Sequence, residues 1–155
     1  MEWDRSESKQ QSACPLSGNM IRKLADLAIR QTAFAYAPYS GFTVGAALLA
    51  CDGQIFTGCN VENAAYGPSN CAERTAVFKA VSEGVRNFRA IAIAGGKDGQ
   101  ITGECPPCGV CRQVLMEFCD PENFWIITVG PAHTGHIYTL GQLLPKGFGP
   151  ANLEG

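Results

Sequence analysis

The 155-residue chain is long enough to bury a substantial core in one domain and short for two. Its 46% hydrophobic content is ordinary for a globular protein, and no apolar run reaches the length of a membrane span. A formal net charge of −2 offers no basic stripe for neutralising phosphates, which argues against a nucleic-acid partner.

Residues 1–15 are polar and aperiodic and read as a flexible N-terminal tail, with 16–155 forming the domain. The tail lacks the apolar stretch of a signal peptide, so the expected location is cytoplasmic. Ser17 is placed to cap a helix running to about Tyr36, with Ile21, Leu24, Leu27 and Ala28 on one face. Ala37-Pro38-Tyr39-Ser40-Gly41 breaks it. Phe42–Cys51 and Gln54–Cys59 are apolar runs flanking Asp52-Gly53, a hairpin signal in which both turn positions would take positive φ. The small residues Gly45, Ala46 and Ala47 predict a helix packed close against the first strand.

Asn60–Asn70 reads as a loop. A helix over Cys71–Ser82 would turn Ala72, Ala76, Val77, Ala80 and Val81 inward and stop at Gly84. Phe88–Ala94 is a strand, and Gly95 to Gly99 a loop. A second helix is predicted from near Cys108 to Phe118, with Val110, Val114 and Leu115 apolar. Phe124–Val129 and His136–Thr139 read as strands, Leu140–Leu144 as a helical turn, and the tail from Lys146 as irregular. Alternating strands and helices imply a layered α/β domain on a mixed sheet, since the hairpin is antiparallel and the later crossovers parallel.

Eight cysteines suit a disulfide framework only in a secreted chain. In a reducing compartment they are available for metal. Cys108 and Cys111 have the C-x-x-C spacing, and Cys71 supplies a third thiol from a separate element. A working zinc site keeps three protein ligands and one open position. Glu73, two residues from Cys71, is near enough to reach a water on the metal without ligating it. If Cys71 and the Cys108/Cys111 pair open their helices, the unpaired N–H groups and positive dipole ends favour thiolate. Four thiols would instead make a closed structural site, and Cys105, in Cys105-Pro-Pro-Cys108, is the available fourth ligand. Three thiolates on Zn²⁺ sum to −1, so a group drawing charge from sulfur is expected, and Arg74 and Gln113 are candidates by adjacency.

The segments Tyr36-Ala-Pro-Tyr-Ser-Gly-Phe42-Thr-Val-Gly, Gly58-Cys-Asn60-Val-Glu62-Asn63-Ala-Ala-Tyr66, Cys71-Ala-Glu73-Arg74 and Pro107-Cys108-Gly-Val-Cys111-Arg112-Gln113 resemble the cytidine deaminases of the small, homotetrameric, free-nucleoside type. A ligand-x-Glu followed by Pro-Cys-x-x-Cys is the signature of zinc nucleobase deaminases. The resemblance runs from about Leu16 to the end. It departs at Pro106, where relatives often carry a small polar residue.

The resemblance implies a three-layer α/β/α domain on a mixed five-stranded sheet, with one zinc per subunit on Cys71, Cys108 and Cys111. It implies hydrolytic deamination of cytidine and 2′-deoxycytidine, a pyrimidine-salvage reaction, with Glu73 as proton shuttle. It makes Arg74 the thiolate-pairing arginine, Asn60 and Glu62 ligands of the ribose 3′-hydroxyl, and Phe42 a face against the nucleoside. The N–H of Ala72 and the carbonyl of Cys108 would read the pyrimidine edge. Tyr66 would complete the substrate-binding segment and also lie at a subunit contact, and Phe148 would bind substrate by reaching a neighbouring subunit's pocket. From the residues alone, duller roles stay open: Glu73 as a helix-dipole carboxylate, Arg74 as a surface charge, Asn60 and Glu62 as loop polarity, Phe42 as a core aromatic. His133 and His136 have no assigned part in the site.

Overall fold

The computed structural model describes residues 14–154. The expected N-terminal tail lies outside the described residues except at its end, where Cys14 is already buried, followed by Leu16. Helix α1 spans Gly18–Gln31, capped as expected by the Ser17 hydroxyl, which accepts from the N–H of Met20 at 3.1 Å. It ends sooner than predicted, passing into one 3₁₀ turn over Thr32–Phe34. Its buried face is Ile21, Leu24, Ala25 and Ala28.

Strands β1 (Phe42–Ala50) and β2 (Ile55–Cys59) form the hairpin. The expected pair of positive-φ turn residues is corrected. Only Gly53 has one (φ 92), and the connection is four residues long, closed by Gly53 N–H to the Ala50 carbonyl at 3.1 Å. Asp52 accepts from the N–H of Gln54, the local bond that aspartate makes in turns. Helix α2 (Ala72–Ser82) ends at Gly84 (φ 87), where Val85 N–H bonds back to the Ala80 carbonyl.

Strand β3 runs Phe88–Lys97 and so continues through Gly95 and Gly96, a correction to the loop predicted there. It is followed by α3 (Gly109–Phe118), β4 (Trp125–Val129), β5 (Gly135–Thr139), α4 (Leu140–Leu143) and α5 (Pro150–Leu153). The last corrects the irregular tail: Asn152 Oδ1 accepts from the Gly149 N–H, and Pro150 occupies the first helical position. In α3, Val110 points outward at 57% exposure while Cys111 and Leu115 are buried.

The sheet order is β2-β1-β3-β4-β5. β1 is antiparallel to both β2 and β3, so β2 and β3 run the same way with β1 between them, joined through α2. β3 and β4 pair in parallel through α3, and β5 returns antiparallel. Side chains alternate between two cores. Ala46, Leu48, Ile91, Ile93 and Ile126 meet α2 and α3, whereas Ala47, Leu49, Ala90, Ala92 and Ile127 meet α1. The result is the three-layer α/β/α sandwich on a mixed five-stranded sheet.

The small residues of β1 do bring a helix close. A Cβ on Gly45 would lie 2.0 Å from the carbonyl oxygen of Ala28, so the backbone of α1 touches β1. Gly58 does the same for α2 on the other face. No helix among the described residues is long and apolar enough to cross a membrane.

Candidate metal centre

Parallel strands followed by helices leave a crevice outside the strand carboxyl ends, with helix N-termini pointing into it. Here the chain leaves β2 at Cys59 and enters α2 after Cys71; it leaves β3 at Lys97 and enters α3 after Cys108. Cys71 and Cys108 are the N-cap residues of those helices, with extended backbone (ψ 157 and 166). Cys111 comes next in the first turn of α3, and its N–H donates to Cys108 Sγ at 3.4 Å.

The three sulfurs all lie within 4.8 Å of one another, and Cys71 Sγ and Cys108 Sγ are 3.7 Å apart. Tetrahedral zinc with Zn–S near 2.3 Å sets its sulfurs about 3.8 Å apart, so the cluster fits that ion. Among the described residues no fourth side chain joins the cluster. Cys105 lines the adjoining cavity instead, its thiol pushed up to about 12 by burial and then by the charges of Glu73, Cys71 and Cys108. The closed four-thiol alternative is therefore not what the fold builds.

Within the cluster, a hydrogen bond from Cys111, helped by others from Arg74 and Cys108, holds the Cys71 thiol down at about 5 despite burial. Cys111, completely buried, is pushed upward by the same shared bond and by desolvation. Arg74 donates from Nη2 to Cys71 Sγ at 3.2 Å, the charge-withdrawing contact expected of it.

Glu73, in the first turn of α2, is 4% exposed. Burial raises its pKa most, outweighing a hydrogen bond with Cys111 and adding to the repulsion from Cys71. A carboxyl kept readily protonated beside a metal cluster is placed to take up and return a proton. It faces a cavity of ≈ 170 Å³ that Val44, Asn60, Cys71, Ala72, Cys105 and Cys108 help to line. The N–H of Ala72, first in α2, has no helical carbonyl behind it and remains available to an acceptor there. The carbonyl of Cys108 accepts the N–H of Arg112.

Of the other predicted residues, Asn60 lines this cavity, whereas Glu62 and Tyr66 line another. Asn60 also bridges β1 like an added strand residue, accepting from Val44 N–H and donating to the Phe42 carbonyl, both at 2.8 Å. Glu62 lines a neighbouring cavity with Tyr39, Ser40, Tyr66 and Ser69. Its carboxylate accepts from the N–H groups of Tyr39 and Ser40 and from the Ser40 hydroxyl (2.6 Å), and that hydroxyl chiefly lowers its pKa. Tyr66 (φ 61) packs edge-on against Tyr39. Phe42 opens β1 at 41% exposure, and Phe148 is exposed beyond α4. Gln113 donates to the Phe148 carbonyl at 2.9 Å, tying the C-terminal segment to α3.

Sequence reasoning missed two supports. Arg112 donates to the carbonyls of Pro107 and Leu143 (2.8 and 2.6 Å), bracing the turn before Cys108; its place beside Gln113 in the motif was the available signal. Thr75 Oγ1 donates to the carbonyl of Cys59 (2.9 Å) and accepts from Asn70, fastening the loop that delivers Cys71. No sequence pattern distinguishes Thr75 from any helical threonine.

An α/β/α sandwich with three cysteines at two converging helix starts and a buried glutamate beside them defines a zinc hydrolase centre of the nucleobase-deaminase class. Comparison with known proteins specifies it further. The family model for the cytidine and deoxycytidylate deaminase zinc-binding region matches residues 19–127. A cytidine deaminase of Sporosarcina psychrophila is 60% identical over 120 residues, covering 77% of this chain and 85% of that protein. The crystal structure of cytidine deaminase from Burkholderia pseudomallei superposes with a TM-score of 0.76 at 42% identity, covering 86% of this chain and all of the other. That from Mycobacterium tuberculosis gives 0.70 at 42% identity, over 86% and 98%. The chain belongs to the cytidine and deoxycytidylate deaminase zinc-binding family.

Proposed function

We propose that the protein deaminates free cytidine and 2′-deoxycytidine, adding water at C4 of the ring and releasing ammonia to leave uridine or 2′-deoxyuridine, a step of pyrimidine salvage. The single observation that carries this is the three-sulfur cluster with Glu73 buried against it and facing the cavity. Zinc, when held by Cys71, Cys108 and Cys111, supplies a water acidified to near-neutral pKa.

The rest is done by the chain's own groups. Glu73 accepts one proton of the attacking water and passes it to ring N3, where it stays; it then takes the second proton from the new C4 hydroxyl and gives it to the departing amine, leaving a C4 carbonyl. One carboxyl serves both transfers and ends as it began. The N–H of Ala72 and the Cys108 carbonyl hold the ring edge. Asn60 and Glu62 hold the ribose 3′-hydroxyl, and the bonds from Tyr39 and Ser40 fix the Glu62 carboxylate in place for it. Phe42 packs against the nucleoside. Arg74 takes charge from Cys71, and Gln113 supports α3 from the C-terminal side.

The cavity of ≈ 170 Å³ is smaller than the roughly 300 Å³ of the smallest ordinary ligand sites, so one chain walls only part of a nucleoside. We take the missing wall to come from neighbouring copies in a homotetramer, with Tyr66 at a subunit contact and Phe148 reaching across, in the cytoplasm and with no nucleic-acid or membrane partner. Ammonia release from cytidine by the zinc-loaded protein tests the activity. Glu73→Gln should keep its zinc and lose about 10² to 10⁴ in turnover or more. No turnover of either nucleoside by the loaded wild type overturns the reading.

A further inference from the structure

Residues 98–108 join β3 to α3, and from 101 to 107 they have no regular secondary structure, yet this stretch carries Cys105 and Pro106 into the cavity wall and delivers Cys108 to the cluster. Such a stretch has to be held from outside itself. Its floor is β3, where side chains are missing: a Cβ on Gly96 would lie 1.8 Å from the Gln100 carbonyl oxygen, and one on Gly95 3.0 Å from Cys105 Sγ. Its far end is braced by Arg112 on the Pro107 carbonyl.

Between these supports stands Glu104. Its Oε1 accepts from Thr128 Oγ1 at 2.9 Å and from His136 Nδ1 at 2.7 Å. Thr128 and His136 face each other across β4 and β5, so two adjacent strands grip one carboxylate oxygen. Thr128 is 1% exposed, and a buried hydroxyl in a strand centre needs such a partner. The contact at 2.7 Å places the proton of His136 on Nδ1, as either the neutral tautomer or the imidazolium provides.

The four residues on the C-terminal side of Glu104 make the grip consequential. Cys105-Pro106-Pro107-Cys108 contains two successive prolines, each with φ fixed near −65°, and each restricting the residue before it. An arm this stiff cannot absorb a displacement at its root; it passes the displacement to its tip, which is a metal ligand.

We propose that Glu104 is a positioning residue for the metal centre, setting Cys108 against Cys71 and Cys111 through the Thr128–His136 grip and the proline arm. The inference rests on the zinc reading above. Its test compares zinc-loaded wild type with Glu104→Ala, Glu104→Gln, His136→Ala and the Glu104→Ala/His136→Ala double variant. Three quantities are read: the rate of zinc release to a colorimetric chelator, kcat and KM for cytidine, and the thermal midpoint.

Glu104→Ala should release zinc about 10–100-fold faster, the usual cost of removing a support behind a ligand, and lose kcat with little change in KM. Glu104→Gln, whose amide oxygen still accepts from Thr128, should recover most of both. The double variant should release zinc no faster than Glu104→Ala, because both groups act through one contact. Zinc release at the wild-type rate in Glu104→Ala, whether or not the thermal midpoint falls, overturns the proposal. Should that variant not fold, wild-type release rates in both Glu104→Gln and His136→Ala overturn it, and faster release in His136→Ala supports it. A wild type that binds no zinc would instead sink the reading of the centre itself.

Discussion

Charge on sulfur is what the individual residues of this centre have to manage. Three thiolates outweigh Zn²⁺ by one unit, and Arg74 places its guanidinium 3.2 Å from Cys71 Sγ to offset part of that excess. Before metal arrives the same contact acts too, second to the hydrogen bond from Cys111. Cys71, ordinarily near 9.0, is lowered to about 5, so it is charged above about pH 5, whereas an unperturbed thiol becomes so only near 9. Metal-free protein should therefore be alkylated by iodoacetamide at Cys71 from about pH 5 upward. Cys119, pushed up by burial, should stay inert throughout that range. Arg74→Ala should move the Cys71 midpoint part of the way upward; peptide mapping across pH 4 to 9 reads both, and an unchanged midpoint would show that the arginine contributes nothing beyond Cys111.

Secondary-structure elements carry these residues, and their placement depends on contacts of very different cost. Ser17 caps α1 on the face away from the cluster, and Ser17→Ala should cost about 0.5–2 kcal/mol of stability while leaving kcat alone. Gly58 is another matter. A Cβ there would lie 2.5 Å from the Ala72 carbonyl oxygen and 2.6 Å from the Ala76 nitrogen, in the first turns of α2. Gly58→Ala must push that helix off the sheet, at roughly 1–3 kcal/mol or more, and Cys71 and Glu73 move with it. Thermal melts and turnover measured on both variants should separate: a lower midpoint alone for Ser17, a lower midpoint with lost activity for Gly58.

Much at this scale was legible in the chain itself. Short apolar runs between turn signals marked all five strands, the Ser17 cap began α1, Gly84 stopped α2, and Gly45-Ala46-Ala47 announced a close helix. The ligands and Glu73 were legible because metal chemistry restricts spacing and residue type together. Less so were residues whose partners lie far away in sequence. Nothing near Glu62 says that its carboxylate is gripped by backbone of Tyr39 and Ser40, and nothing near Glu104 points to Thr128 and His136. Val110, read only as apolar, is exposed, because β-branched apolarity says nothing about which side of a helix faces the sheet.

For the molecule as a whole, the question of scale is how many chains make one site. Exposed aromatics are numerous for a single copy: Tyr36, Tyr39, Phe42, Tyr66 and Phe148 are each at least 41% exposed, Phe148 at 58%. Sedimentation at micromolar concentration should give the mass of four chains, and a 16.5 kDa species would reject the tetramer. The strand order has a temporal corollary. Cys71 and Cys108 hang from β2 and β3, which meet only through β1 wedged between them, so the ion's seat does not exist until that central strand has docked. Zinc therefore arrives as the keystone and not the scaffolding: added to refolding chains, it should lock the finished product against reopening without hastening its assembly.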